Sequence, residues 1–67
     1  MKSTVINGYG VEIDFDVAVN LMDEDICEKL NAELSPCDNQ TFFSAYCKAH
    51  EEKYGEEFEL AKKNPVF

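Results

Sequence analysis

Hydrophobic residues recur at two different spacings along this chain, and the change of spacing divides it into elements. Val11, Ile13 and Phe15 alternate with Glu12, Asp14 and Asp16, a period of two that predicts a strand over residues 11–16 with one buried face. Asn7-Gly8 precedes it and is a hairpin-turn signal, because both residue types tolerate positive φ. A two-residue turn there pairs Ile6 with Tyr9, and a longer one through Gly10 pairs Ile6 with Val11. Either register puts Ile6 on the apolar face.

Beyond this point the period lengthens. Asp16 is the expected N-cap of a short helix over residues 17–22. Asp23 or Asp25 caps a second, Asp25 and Glu28 having capping-box spacing. Ile26, Cys27, Leu30 and Leu34 share one face of that helix, which ends at Ser35-Pro36 because the residue before proline leaves the helical region. A third helix is predicted from near Asp38 to Tyr54, with Gly55 as its stop. Phe42, Phe43, Tyr46, Cys47, Ala49, His50 and Tyr54 fall on one broad arc of it.

The segment 56–67 stays open. Phe58 and Leu60 alternate like a strand, Glu59 and Lys63 have helical ion-pair spacing, and Asn64-Pro65 ends either. The pattern as a whole predicts an α+β fold, an N-terminal β-hairpin packed on two to three short helices in a single small domain spanning residues 1–67. Its expected core sets Ile6, Val11, Ile13 and Phe15 against Leu21, Ile26, Leu30, Leu34, Phe42, Tyr46 and Ala49.

At 67 residues the chain lies near the lower limit for folding without metals or crosslinks. A 45% hydrophobic content with five Phe and three Tyr is enough for a compact core but leaves little to wall a deep substrate pocket. Fourteen acidic residues face six basic ones, all lysine, for a formal charge of −8. That balance argues against direct nucleic-acid binding, which needs a positive patch, and against anionic membrane surfaces. A partner that uses the charge is a protein with a basic surface. No apolar run near Met1 resembles a signal peptide and no stretch is long enough to span a bilayer. With an odd number of cysteines, these features place the chain in a reducing cytoplasm.

The most suggestive chemical set is Cys27, Cys37, Cys47 and His50, since Cys47-x-x-His50 could offer two zinc ligands from one helical face. No Cys-x-x-Cys pair accompanies it, and Cys27 sits in its own helix's apolar stripe, where isolated cysteines act as small hydrophobes. A Cys47/His50 nucleophile pair needs an electropositive setting to form thiolate, whereas Glu51 and Glu52 adjoin it. His50 reads instead as a core histidine with a hydrogen-bond partner. A calcium loop starting at Asp23 fails because Cys27 and Glu28 take its fifth and sixth positions. Phosphate-loop, dinucleotide and nucleophile-elbow motifs are not found. No catalytic residue, cofactor or metal is therefore expected, and the protein reads as non-enzymatic. The candidate interaction residues are Glu12, Asp14 and Asp16 on the outer face of the hairpin and Asp23, Glu24 and Asp25 at a helix start. Merged into one negative stripe, they would fit a basic, nucleic-acid-binding groove. Left apart, they are a solvated surface that keeps the protein in solution.

The segment Asp14-Phe15-Asp16-Val17-Ala18-Val19-Asn20-Leu21-Met22-Asp23 resembles a group of short uncharacterised acidic proteins carried on bacterial conjugative elements and prophages. So do Leu34-Ser35-Pro36-Cys37, Phe42…Ala45-Tyr46…Ala49-His50 and Lys53-Tyr54-Gly55-Glu56-Glu57-Phe58. The resemblance covers about residues 7–58 and implies a bacterial cytoplasm and an accessory gene, with no site residue to carry over. In that setting the first expectation is a small acidic protein-interaction module of a mobile element. A homodimer is one option, because a core this small gains by burying more surface. The alternative is a nucleic-acid-mimicking inhibitor of a host defence nuclease or DNA-binding protein.

Overall fold

A computed structural model describes residues 3–63. Two strands, β1 (Thr4–Ile6) and β2 (Glu12–Asp14), precede three helices, α1 (Phe15–Leu21), α2 (Glu24–Leu34) and α3 (Asn39–Tyr54), and a 3₁₀ turn at Glu59–Ala61. The α+β expectation of an N-terminal hairpin on a helical layer holds. Asn64-Pro65, expected to end the last element, lies outside the described residues.

The hairpin register differs from both expected ones. The strands pair antiparallel as Thr4 with Asp14, Val5 with Ile13 and Ile6 with Glu12, so the loop runs from Asn7 through Val11. Positive φ falls on Gly10, at 81°, and not on Asn7 or Gly8. The cause is the Asn7 side chain. Its Oδ1 accepts from the backbone N–H groups of Tyr9 (2.9 Å) and Val11 (3.0 Å), closing the loop from inside. Its Nδ2 donates to the carbonyls of Leu60 (2.9 Å) and Lys62 (3.0 Å). Both ends of a buried amide are thus satisfied, and the loop is fastened to the C-terminal segment.

Because side chains alternate faces, this register decides the core. Val5 and Ile13 point inward and are buried, whereas Ile6 is 51% exposed and does not join the apolar face. Its backbone is still held: Gln40 of α3 accepts from the Ile6 N–H (2.8 Å) and donates to the Ile6 carbonyl (2.7 Å). A side-chain amide thereby covers part of the outer edge of β1, an edge that would otherwise invite strand pairing.

Strand β2 is also shorter than its alternation implies. Asp14, not Asp16, is the N-cap of α1, accepting from the Asp16 N–H at 2.9 Å. Phe15 therefore opens the helix and sets its ring edge-on to Phe42 with centroids 6.2 Å apart. On α1 the buried line is Phe15, Ala18 and Met22, with Ala18 fully covered. Leu21 lies off that line and is 48% exposed, so it leaves the expected core.

The two longer helices follow the sequence closely. Asp23 caps α2, Ser35 ends it, Asp38 caps α3, and Gly55 closes α3 in the left-handed region at φ 74°. Ile26 and Leu30 from α2 and Phe42, Phe43 and Tyr46 from α3 are buried together, with Cys27, Leu34 and Ala49 packed around them. The open question of the tail resolves to neither strand nor α-helix. Its 3₁₀ turn follows Phe58, and both Phe58 and Leu60 are buried. Phe58 packs on Tyr46 (4.7 Å between centroids), His50 (5.4 Å) and Phe43 (6.4 Å).

Candidate functional site

Of the six candidate interaction residues, two are committed to the fold. Asp14 is half-buried at the start of α1 and satisfies the Asp16 N–H in its first turn. Asp23 does more. Its carboxylate accepts from the backbone N–H of Asp25 (2.8 Å) and Ile26 (3.3 Å), from Lys53 Nζ (3.3 Å), and from the Tyr54 hydroxyl. Its own N–H donates to the Tyr46 hydroxyl oxygen at 2.7 Å. The residue thus clamps the start of α2 to the C-terminal turn of α3. The Tyr54 hydroxyl first, with Lys53 and the α2 N–H groups adding to it, holds the Asp23 carboxyl down at about 2.

A lowered carboxyl pKa contributes stability above the unfolded value of about 3.9 and loses it as pH falls toward the folded one. The urea midpoint of the wild-type protein is therefore expected to drop between pH 4 and pH 2, more steeply than in Asp23→Asn. Asparagine keeps the capping geometry but has no charge to titrate. Asp38, also lowered by its cap bonds to Thr41, supplies a remainder common to both proteins. Parallel pH profiles would remove Asp23 from this role.

The other four, Glu12, Asp16, Glu24 and Asp25, are exposed. Glu12 projects from β2 opposite the buried Ile13. Asp16 lies in the first turn of α1, and Glu24 and Asp25 lie in the first turn of α2, where the helix dipole favours negative charge. Asp25 also reaches Lys53 at 3.9 Å. Five residues of α1, 17–21, lie between Asp16 and the second group, roughly 8 Å of helix axis.

The distribution of charge is more telling than any one carboxylate. From Ser3 to Glu28 the chain carries Glu12, Asp14, Asp16, Asp23, Glu24, Asp25 and Glu28 with no basic residue. This stretch forms the hairpin, α1 and the first half of α2. Apart from Lys2, every lysine comes afterwards, from Lys29 onward. Lys29, Lys48 and Lys53 line the shallow depression between α2 and α3 together with Asp25, Glu33 and Glu52, so that face is balanced in charge.

Residues considered for metal or nucleophile chemistry lie in different settings. Cys37 is exposed; Cys27 is half-buried with its Sγ 3.6 Å from Met22 Sδ. Burial pushes the Cys47 thiol up to about 11, which keeps it protonated and opposes a nucleophilic role. His50 takes the structural position expected of it. Its ring packs among Tyr46, Tyr54 and Phe58, and its Nδ1 lies 3.0 Å from the Glu56 carbonyl. A carbonyl only accepts, so Nδ1 carries the proton. Among the described residues no group of three or more His, Cys, Asp or Glu side chains is placed to hold a metal ion, and no helix is long and apolar enough to cross a membrane.

The profile of the family described as anti-CRISPR protein AcrIC5 matches residues 6–58, which is more than half of the chain and holds most of the hairpin, all three helices and Phe58. The chain belongs to the anti-CRISPR protein AcrIC5 family. The resemblance to small proteins of phages and mobile elements is borne out at that level. No curated protein matches the chain. One feature escaped the sequence pattern: Val17 and Leu21 on α1, and Tyr54 beside Lys53 at the end of α3, are large apolar residues left exposed. The helical periodicity of α1 held the signal, since Phe15, Ala18 and Met22 already fill its inward line.

Proposed function

We propose that this protein inhibits a CRISPR effector by setting its carboxylate surface in the groove that the effector uses to bind DNA. The observation that carries the reading is the unbroken acidity of residues 3–28, folded onto the hairpin, α1 and the start of α2. Proteins that hold a nucleic acid do so with lysine and arginine aimed at phosphates, and effectors that read a short duplex motif do so with arginine. Carboxylates fixed on helix N-termini and on a strand face offer such a groove a rigid array of acceptors. Fixing them in advance lowers the ordering cost of binding. Glu12, Asp16, Glu24 and Asp25 are the contact residues in this reading, and Asp14 and Asp23 hold the helices that present three of them. The protein-interaction role inferred from sequence is thereby narrowed to a basic protein partner, with no metal, cofactor or catalysis of its own.

The test is competition. A labelled target duplex is displaced from a purified CRISPR effector by increasing protein, at several salt concentrations. The expected result is mutually exclusive binding whose affinity falls steeply as salt rises, because the attraction is between exposed charges. A ternary complex containing both duplex and protein would refute occupation of the DNA groove.

A further inference from the structure

Carboxylates give steering and register, but they seldom give tight, durable binding on their own. Interfaces owe most of their affinity to a dry apolar centre, commonly with Tyr, surrounded by a polar rim. The exposed face of α1 offers such a centre. Val17 and Leu21 lie one turn apart on α1 and are 38% and 48% exposed, so they form one ridge. Leu21 borders a shallow depression floored by Phe58 and edged by His50. The His50 ring in turn lies 4.8 Å from that of Tyr54, which is 50% exposed. Glutamates and a lysine line most of that depression, so the exposed apolar surface is the Val17–Leu21 ridge, with Tyr54 set apart beyond the depression on the last turn of α3. Single exposed aliphatics need no explanation, but a joined series is the mark of a contact surface.

Charge says what covers it. Asp16 flanks the ridge on α1, Asp23 and Glu24 follow its C-terminal end, and Glu57 and Glu59 border the depression. Against these acids stand Lys62, which lines the depression, and Lys53, which pairs with Asp23 at 3.3 Å and lies 5.3 Å over the Tyr54 ring. An apolar strip rimmed in this way repels acidic or nucleic-acid surfaces and suits a protein with lysine or arginine around an apolar floor.

We infer that the Val17–Leu21 ridge is the apolar centre of the contact with the effector's basic groove, and that the surrounding carboxylates are its rim. This rests on the function proposed above and adds that the contact has a component insensitive to salt. The other flank of α1, where Val19 lines a depression together with Pro36 and Cys37, lies outside it.

The experiment measures affinity for the purified effector over a salt series with Val17→Ser, Leu21→Ser and Asp16→Asn. All three side chains are exposed, and thermal melting verifies that each variant folds. Val17→Ser and Leu21→Ser are expected to weaken binding about tenfold at every salt concentration, leaving the slope of log affinity against log salt unchanged. Asp16→Asn should lower that slope, and Leu21→Met should restore wild-type affinity. Serine variants that bind within about twofold of wild type would overturn the inference. If Asp16→Asn still lowered the slope, occupation of the groove would stand without it. A wild-type protein that binds no effector would bring down both.

Discussion

Phe58→Ala is expected to leave much of the protein unfolded at room temperature. Phe58 stands outside the three helices, in a segment whose sequence reads equally as strand, helix or loose tail. It is nonetheless almost fully buried, with its ring against Phe43, Tyr46 and His50. Removing a buried phenylalanine ring costs about 3–5 kcal/mol through lost transfer energy and the cavity left behind. A chain of this length has a total stability of only about 3–10 kcal/mol. With a urea dependence near 1 kcal/mol per molar, typical of so small a domain, the midpoint should fall by about 3 M. Leu60→Ala should act in the same direction, since Leu60 is fully covered and its carbonyl holds Asn7. A midpoint that moves by less than about 0.5 M in both variants would mean the C-terminal segment is not part of the core. Asn7 provides the second connection, so the effect extends to the hairpin loop at the other end of the chain.

Where sequence reading succeeds and fails here has a common physical cause. Helices α2 and α3 were legible to within a residue or two because their signals are local. Asp23 and Asp38 sit one residue ahead of each start, Pro36 and Gly55 stand just past each end, and the apolar residues recur at helical spacing throughout. The hairpin register was not legible, because it is decided by contacts that sequence proximity does not reveal. Asn7 meets carbonyls 53 and 55 residues away, and Gln40 reaches back 34 residues to Ile6. A register set by those bonds turns Val5 inward and Ile6 outward, against a turn signal at Asn7-Gly8 that indicates a tighter loop. Leu21 was misplaced for a related reason. A two-turn helix has room for one inward line, and Phe15, held by Phe42, fixed which line that would be. The acidic candidates were visible as charges, but their division of labour was not. Asp23 looks like any helix-start acid until Lys53 and Tyr54, thirty residues on, are seen on its carboxylate.

That division sets up the prediction with the largest effect on binding. The triple variant Glu12→Gln, Asp16→Asn, Glu24→Gln neutralises three exposed carboxylates on the lysine-free surface and spares the caps Asp14 and Asp23. A matched variant, Glu33→Gln, Glu51→Gln, Glu52→Gln, removes the same three charges from exposed positions elsewhere on α2 and α3. Both carry a formal net charge of −5, from −8 less three, so long-range attraction to a basic partner is reduced equally in the two. Only the first loses close pairs. At about 1 kcal/mol for each lost pair with a lysine or arginine, the first should bind the effector on the order of 100-fold more weakly. The matched variant should show a loss of only a few fold, mainly in association rate. The salt slope should likewise fall further in the first. Equal losses would show that the effector senses total charge and not a located array, and a DNA-like arrangement on the hairpin and α1 would then have no support. Because both variants keep every cap, buried ring and Asn7 bond, their melting temperatures should remain close to that of the wild type, and a difference in affinity between them reports on the surface alone.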